Sequence, residues 1–254
     1  MAKMAKHIAL VGKGGVGKTT LTTMICRYLE ENNKGVILAV DADPNANLNE
    51  ALGMEFSSCI SDVIEDTKRP HAVPDGMSKE RYVEYRLQDS LIEGDKNLDL
   101  LIMGGPQGPG CYCYANDLLR GYIERLETNY DYLVMDSEAG MEHISRRTVQ
   151  DVDVMLVVSD ASARGVRTIT RINDLIKNLK TNVKSVYSIV TKASEETIDD
   201  LREELKKTNV EFAGFIPFDS QVFEFDAKGK PLYDLPADSP VVKASYEIFD
   251  KIKL

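Results

Sequence analysis

Short apolar runs alternate with longer helical patterns along most of the chain, and this alternation restricts the fold more than any other feature. The runs are nearly apolar throughout, so the strands they form need cover on both faces. Intervening helices give that cover when each crosses over between parallel strands in the right-handed sense. We therefore predict an α/β fold with a doubly wound, mostly parallel sheet flanked by helices. Strands are expected at 7–11, 36–40, 98–103, 130–135, 152–158 and 185–190, and helices at 19–31, 115–128, 163–180, 194–208 and 238–252.

The segment 57–97 is the part of the chain whose pattern is hardest to interpret. It is mixed and charged, and Pro70 and Pro74 interrupt it. The 254 residues are enough for one large α/β domain, and the sequence contains no internal repeat. We interpret 57–97 as a mostly helical elaboration, so that residues 1–254 form a single domain.

Composition excludes several classes of protein. The chain has 31 basic and 41 acidic side chains, a formal net charge of −10, which argues against binding to nucleic acid or an anionic membrane. No run approaches the ~18 apolar residues of a membrane-spanning helix, and the first residues lack the apolar core of a signal peptide. Four cysteines are too few for a disulfide scaffold of this size. We expect a soluble cytoplasmic protein with neither nucleic acid nor membrane as partner.

A glycine-rich segment lies between the first predicted strand and the first predicted helix. Its frame, Gly12-x₄-Gly17-Lys18-Thr19, is the P-loop pattern in the structural context that this pattern requires. Glycines let successive N–H groups turn toward an anion, and the helix N-terminus adds its positive dipole end. Lys18 is expected to reach the β- and γ-phosphates, and the Thr19 hydroxyl to complete a Mg²⁺ shell. The predicted phosphate-binding residues are Gly12, Lys13, Gly14, Gly15, Val16, Gly17, Lys18, Thr19 and Thr20.

A second lysine, Lys13, lies inside this loop, where the turn itself does not need a basic residue. The pattern K-G-G-x-G-K-[ST] resembles the deviant Walker A class of P-loop ATPases, which includes the MinD, ParA, Mrp and nitrogenase iron-protein families. The resemblance implies a homodimer that forms on ATP or metal binding, with two subunits face to face and ATP between them. In that class the equivalent of Lys13 reaches the nucleotide of the partner subunit, where it stabilises the transition state of Mg²⁺-dependent ATP hydrolysis.

Carboxylates follow two predicted strands, at the edge of a parallel sheet where ligands bind. Asp43 resembles the switch I aspartate of the class, which orients the attacking water and is therefore a catalytic candidate with Lys13 and Lys18. Asp41 resembles an outer-shell Mg²⁺ ligand. Asp136 resembles a Walker-B-type aspartate, which implies contact with Mg²⁺ directly or through water, and its D-x-x-A-G spacing matches switch II of the class.

Base recognition is less evident in the sequence. Members of the class often carry an Asn-Lys pair after a late strand, whereas this chain has Thr191-Lys192. The run 216–219 resembles the segment whose backbone lines the base pocket, which makes Pro217 a candidate nucleotide contact. The preference for ATP over GTP therefore depends on the resemblance, and the GTPase pattern N-K-x-D is also absent.

Cys111 and Cys113 form a C-x-C pair after a run rich in glycine and proline. In an extended segment residues two apart point to the same side, so the two thiols can converge. One pair supplies only two ligands, but a symmetric dimer would bring four sulfurs together. Four thiolates suit Zn²⁺ or an iron–sulfur cluster in tetrahedral geometry and Ni²⁺ in square-planar geometry. Cys26 and Cys59 are interpreted as small core residues.

The four motifs together resemble the CooC/AcsF type of nickel-insertion ATPase. They occur in the expected order at 12–20, 41–48, 108–116 and 136–143. The resemblance implies an ATPase that inserts Ni²⁺ into carbon monoxide dehydrogenase or acetyl-CoA synthase, its client enzyme, with Ni²⁺ on the paired cysteines and Zn²⁺ as a substitute.

Two alternatives stay open at this point. The first is an iron–sulfur cluster carrier or electron donor of the nitrogenase-iron-protein or Mrp type, which could also use four thiolates at a dimer axis. The second is a MinD/ParA-like positioning ATPase that associates reversibly with membrane or DNA. The predicted helix 238–252 is only weakly basic and could equally pack on the sheet, which weakens the membrane form of this second alternative.

Overall fold

The computed structural model describes residues 4–69, 72–94, 96–105, 120–137, 151–178 and 182–254. Within these ranges eight strands form one sheet, and all neighbouring pairs but one are parallel. The strands are β1 Lys6–Gly12, β2 Ile37–Asp41, β3 Leu91–Ile92, β4 Leu98–Ile102, β5 Tyr132–Asp136, β6 Asp151–Asp160, β7 Asn182–Thr191 and β8 Glu211–Ile216. Their order across the sheet is β3-β4-β2-β5-β1-β6-β7-β8.

Helices cover both faces of this sheet. They are α1 Lys18–Glu31, α2 Leu48–Leu52, α3 Ile60–Lys68, α4 Lys79–Asp89, α5 Ala163–Asn178, α6 Glu195–Lys207, α7 Ser220–Ala227 and α8 Pro240–Lys251, and residues 120–126 are also helical. Two apolar layers result. On one face α1, α2 and α8 pack against the sheet, and on the other α3, α5, α6 and the helical residues 120–126 do so. The prediction of a doubly wound, mostly parallel α/β fold is confirmed, because strands that are apolar on both faces are buried on both faces.

Among the strands and α-helices of the described residues, four were not predicted from the sequence: β3, β8, α2 and α7. β3 has only two residues and pairs antiparallel with β4, so it has no crossover helix to mark it. β8 is an edge strand in which buried residues alternate irregularly, and Gly214 interrupts its apolar pattern. A Cβ at Gly214 would lie 2.7 Å from the Ile248 side chain, so the glycine lets α8 approach the strand closely.

The segment 57–97 contributes α3, α4 and β3 to the described part of the chain. Its two helices pack against each other, and β3 extends the sheet beyond β4. The mostly helical character predicted for this segment is present in the described residues. Its attachment to the common sheet explains how a charged, irregular stretch is held in place.

The sheet topology puts the carboxyl ends of β1, β2 and β5 at one edge. β1 lies between β5 and β6, so these two strands, which follow one another in the chain, lie on opposite sides of β1. Asp41 at the end of β2 is the register partner of Asp136 at the end of β5. In an open α/β sheet a ligand binds at the carboxyl ends of the strands, at the place where the strand order reverses direction.

Candidate functional site

The loop 12–17 joins β1 to α1 and is shaped by its glycines. A Cβ at Gly12 would lie 2.2 Å from the backbone oxygen of Val158, so the adjacent β6 backbone excludes any side chain there. Gly17 has φ of 91° and precedes the first residue of α1, a backbone conformation that favours glycine. The loop therefore presents its backbone, together with the N-terminus of a 14-residue helix, to whatever binds there.

Lys18, the first residue of α1, lies against this loop. Its side chain is only 7 % exposed, and Nζ donates to the backbone oxygen of Lys13 at 3.2 Å. An ammonium group held at the concave face of a glycine-rich loop is placed to meet an anion. Lys13 itself is half-buried, so it is neither in the core nor fully in solvent.

A hydrogen-bonded pair of side-chain oxygens lies beside the loop. The Thr19 hydroxyl donates to Oδ2 of Asp136 at 2.5 Å, and Oδ1 of Asp136 is buried without a hydrogen-bond partner. Burial raises the pKa of Asp136 to about 7, with the neighbouring Asp41 and Asp43 acting in the same direction. A buried carboxylate with an unused oxygen is costly unless a cation is close. These residues thus fit a divalent cation.

Within the described ranges no group of three His, Cys, Asp or Glu residues could hold a metal ion by itself. Mg²⁺ is usually held through one or two protein oxygens together with substrate phosphates and water. Thr19 and Asp136 provide such a partial set of oxygen ligands next to the predicted phosphate loop.

Asp41 organises the loop that carries Asp43. Its Oδ1 accepts from the backbone N–H of Asp43 and its Oδ2 from the N–H of Leu48, both at 2.9 Å. Asp43 in turn accepts from the backbone and the side-chain amide of Asn45. Burial raises the pKa of Asp41 to about 6, although the hydrogen bonds from Leu48 and Asp43 oppose this shift. Asp41, predicted as an outer-shell Mg²⁺ ligand, therefore uses both carboxylate oxygens to fix the backbone around Asp43.

A pocket continues from the loop toward the end of β8. Its described lining includes the turn Gly15–Gly17, Thr20, the run 216–219 and α7 residues such as Val222 and Phe223. Pro217, the candidate nucleotide contact, is among the residues that line this pocket. Lys192 and Thr191 line it as well, where the sequence lacks the expected asparagine.

Thr191 and Lys192 hold the backbone of the phosphate loop. The Thr191 hydroxyl lies 2.7 Å from the carbonyl oxygen of Val16 and 3.2 Å from that of Ser159. Lys192 Nζ donates to the carbonyl oxygen of Gly15 at 3.2 Å. Carbonyls held on the outer side of a loop leave its N–H groups free to face inward. The sequence drew attention to Thr191 and Lys192 only because the expected asparagine is absent. It did not predict the contacts of these two residues with the loop.

The predicted metal-binding thiols, Cys111 and Cys113, lie outside the described residues, as do residues 138–143 of the switch II motif. The chain that leads to the cysteines is described as far as Gly105. A Cβ at Gly105 would lie 3.2 Å from the carbonyl oxygen of Pro44, so this backbone lies against the loop that carries Asp43. Cys26 and Cys59 are both buried, in agreement with their interpretation as core residues.

A glycine-rich loop with the P-loop pattern, a buried aspartate paired with a threonine of α1 and a neighbouring pocket define a P-loop nucleotide-binding protein. The family model described as the CobQ/CobB/MinD/ParA nucleotide binding domain matches residues 8–232. The chain belongs to this family, and it is a MinD/ParA-type P-loop ATPase that uses ATP and Mg²⁺.

Three individual relatives are similar to this chain over most of their length. An ATP-binding protein of Methanocaldococcus jannaschii is 42% identical over 96% of this chain and 97% of its own length. The carbon monoxide dehydrogenase accessory protein CooC of Rhodospirillum rubrum is 30% identical over 90% of this chain and 89% of its own. The septum site-determining protein MinD of Helicobacter pylori is 26% identical over 90% and 83%.

Solved structures give the same fold. The MinD cell division protein of Aquifex aeolicus superposes with a TM-score of 0.71 at 24% identity, covering 98% of this chain and 97% of its own. A ParA family ATPase from Chlorobium tepidum reaches 0.73 at 17% identity over 96% and 97%. At these identities the likeness shows the fold alone.

Proposed function

We propose that this chain is a nickel-binding maturation factor, which uses ATP hydrolysis to insert Ni²⁺ into carbon monoxide dehydrogenase or acetyl-CoA synthase. The observation that carries the proposal is the similarity to the CooC accessory protein over nine-tenths of both chains. Cys111 and Cys113 add the chemistry, because a thiolate pair from each of two subunits gives a four-sulfur site for Ni²⁺.

The nucleotide step uses residues at the carboxyl edge of the sheet. Lys18 and the loop N–H groups bind the phosphates, and Asp43 orients the attacking water. Thr19 and Asp136 would hold Mg²⁺, with Asp41 behind them, and the ion when bound would supply positive charge next to the phosphate oxygens. Lys13 of the partner subunit supplies a further cation to the transition state, which makes hydrolysis depend on the dimer.

The nucleotide and nickel sites are coupled through the contact between Gly105 and Pro44. The loop 42–47 carries Asp43, and it packs against the backbone that leads to the cysteines within a further eight residues of chain. A rearrangement of this loop on hydrolysis therefore moves the start of the cysteine segment. ATP favours the closed dimer with four sulfurs together, and hydrolysis favours a looser dimer that releases Ni²⁺. A nucleotide shifts this equilibrium only by its preference between the two states.

Anaerobic nickel titration with and without Mg-ATP, read together with molecular mass, tests the proposal. We expect about one Ni²⁺ per dimer, and loss of this binding when Cys111 and Cys113 are both changed to Ala. Cys26→Ala is the matched control, because this thiol is buried in α1 and should not affect nickel binding. Persistent stoichiometric nickel binding by the double variant would show that the metal assignment is wrong. A brown chromophore in anaerobically purified protein would support the iron–sulfur alternative instead.

A MinD-like positioning function is the second candidate, favoured by the similarity to the Helicobacter pylori protein. The described ranges contain no helix long and apolar enough to cross a bilayer. The apolar side chains of α8, including Val241, Ile248 and Phe249, are buried against α1 and β8, so this helix has no free apolar face for a membrane. Co-sedimentation with liposomes or DNA in the presence of ATP, clearly above background, would favour this second candidate.

A further inference from the structure

The outward face of α5 carries three exposed arginines, Arg164, Arg167 and Arg171, which together form the arginine stripe. The chain as a whole is acidic, with a formal net charge of −10, so this local excess of positive charge is unusual for the molecule. We propose that the arginine stripe docks the client enzyme through an acidic surface of that enzyme. The inference rests on the proposed function, because it states where the client of that function binds.

The arginine stripe is a continuous surface on one side of α5. Residues three and four apart are neighbours on a helix, and the three arginines follow one another at these spacings. The buried residues of α5 line the opposite side, where they pack on the sheet. Leu175 is 49 % exposed and lies one turn beyond Arg171, so the stripe and this apolar residue extend over about 16 Å of the helix.

The positive charges of the stripe are not used within the described part of the chain. There, none of the three guanidinium groups makes a hydrogen bond or an ion pair with another residue. Glu204 of α6 is the acidic residue that senses Arg167, but its carboxylate accepts from Lys207 at 2.9 Å. That bond to Lys207 lowers the pKa of Glu204, with a smaller contribution from Arg167.

The stripe also opposes the stability of the helix that carries it. The first turn of α5 contains no acidic residue, and Arg164 places a positive charge there, at the positive end of the helix dipole. Arg167 and Arg171 are four residues apart, a spacing at which like charges repel. Side chains that are unpaired and unfavourable for their own helix are better explained by a partner outside the chain.

The neighbouring helix α6 has the opposite arrangement of charge. Its first turn contains Glu195 and Glu196, which favour the helix dipole. Arg202, Lys206 and Lys207 each pair with a carboxylate three residues earlier in the same helix. The positive side chains of α6 are therefore satisfied within the helix, whereas those of α5 are available to a partner.

The chemistry of arginine indicates the kind of partner. A guanidinium group presents its N–H donors in a planar fork that matches a carboxylate, and arginine is enriched in protein interfaces. The exposed Leu175 adds an apolar contact beside these charges. A protein surface is favoured over nucleic acid, because a net charge of −10 repels a polyanion that extends beyond the stripe.

The position of α5 suits a client that receives nickel. α5 follows β6, so the stripe begins at the carboxyl edge of the sheet, the edge that also carries the phosphate loop. α5 packs on the same face of the sheet as the helical residues 120–126, which follow the cysteines in the chain. A client docked on α5 therefore lies on the face to which the chain returns after Cys113.

Binding of the full chain to purified, nickel-free carbon monoxide dehydrogenase and acetyl-CoA synthase, with Mg-ATP and at low and high salt, tests the inference. The α5 variant combines Arg164→Gln, Arg167→Gln and Arg171→Gln. We expect its affinity for the client to fall at least about tenfold at low salt, and its binding to depend less on salt than that of the wild type.

A matched control removes the same number of positive charges from α6. The α6 variant combines Arg202→Gln, Lys206→Gln and Lys207→Gln, and its affinity for the client should change at most about twofold. Both variants should hydrolyse ATP like the wild type in the absence of a client. Losses of client affinity that are equal in the two variants would overturn the inference, because net charge rather than the stripe would then be responsible.

Urea unfolding supplies a measurement that needs no client. The α5 variant should have the same urea midpoint as the wild type or a higher one, because like-charge repulsion is removed. The α6 variant should have a lower midpoint, because it loses three ion pairs. A midpoint lowered as much in the α5 variant as in the α6 variant would show that the arginines stabilise the fold, which contradicts the inference.

The remaining outcomes separate the docking site from the proposed function. If the wild type binds a client and the α5 variant binds it equally well, the inference is wrong and the proposed function stands. If the wild type co-sediments with DNA and only the α5 variant loses this binding, the stripe serves nucleic acid and the inference is wrong. If the nickel-loaded wild type with Mg-ATP binds neither client, the proposed function fails and the inference fails with it.

Discussion

The two ends of the nucleotide pocket are built in opposite ways. At the phosphate end Lys18 and Asp136 are buried, and bonds from Thr191 and Lys192 fix the loop carbonyls. At the other end Phe218 and Phe223 are exposed and stack on each other. The polar contacts that fix side chains and backbone are therefore concentrated at the phosphate end, because a misplaced charge is costly in a buried site.

The largest effect is expected at the phosphate end. Lys18→Met keeps the length of the side chain but removes the cation that faces the loop. We expect kcat/KM for ATP hydrolysis to fall at least about 100-fold, the usual consequence of removing a group that stabilises transition-state charge. Phosphate release measured under anaerobic conditions checks this. A loss below tenfold would show that Lys18 does not meet the transferred phosphate.

Replacing the buried carboxylate of Asp136 should increase the stability of the nucleotide-free protein and reduce its binding of Mg-ATP. Asp136→Asn removes an ionisable group whose pKa burial raises to about 7, and the neutral amide avoids the cost of a buried charge. We expect the nucleotide-free variant to be more stable than the wild type by about 1–3 kcal/mol at pH 8. Its stabilisation by Mg-ATP should be lost. Urea unfolding with and without Mg-ATP measures both quantities.

The stability difference between Asp136→Asn and the wild type should depend on pH, because burial raises the pKa of Asp136. In the unfolded chain Asp136 ionises near its usual value of about 4, while in the folded chain it holds its proton until about pH 7. Between these values folding takes up a proton, so this group lowers wild-type stability as pH rises. The advantage of Asp136→Asn should be small near pH 4 and largest above pH 7. An advantage that is constant across this range would contradict the assigned ionisation.

Removal of the Thr191 hydroxyl should have a smaller effect, both on stability and on KM for ATP. Thr191→Val preserves the shape of the side chain but leaves the buried Val16 carbonyl without its 2.7 Å donor. We expect a loss of about 1 kcal/mol in the free energy of unfolding and a several-fold rise in KM for ATP. Thr191→Ser restores the hydroxyl and should behave like the wild type in both assays. If Val and Ser behave alike, the hydroxyl does not hold the loop.

Lys192 is the matched control for Lys18, because each Nζ donates to a loop carbonyl at 3.2 Å. Lys192 Nζ is at an exposed position, where one hydrogen bond contributes little. Lys192→Met should reduce kcat/KM for ATP at most about threefold. A loss as large as that of Lys18→Met would mean that the exposed lysine also faces the phosphates.

Much of the fold could be predicted from the sequence because the strands in the middle of the sheet are apolar on both faces. β1, β2, β4, β5, β6 and β7 were predicted within a few residues of their observed bounds, and α5, α6 and α8 likewise. β3 and β8 were missed because edge strands need no cover on both faces and so lack a continuous apolar run. α7 was missed because it is a short helix without a fully buried residue, so its apolar pattern is weak.

The sequence by itself determined the phosphate loop, since strand, glycines, lysine and helix are contiguous and their chemistry is local. It also pointed to the aspartates at 41, 43 and 136, because strand ends can be located from apolar runs. Only the tertiary structure decided that Asp41 fixes the Asp43 loop, that Thr191 and Lys192 hold the phosphate loop, and that Phe218 pairs with Phe223. Such contacts join segments far apart in the chain, and their geometry arises only when the sheet brings the strand ends together.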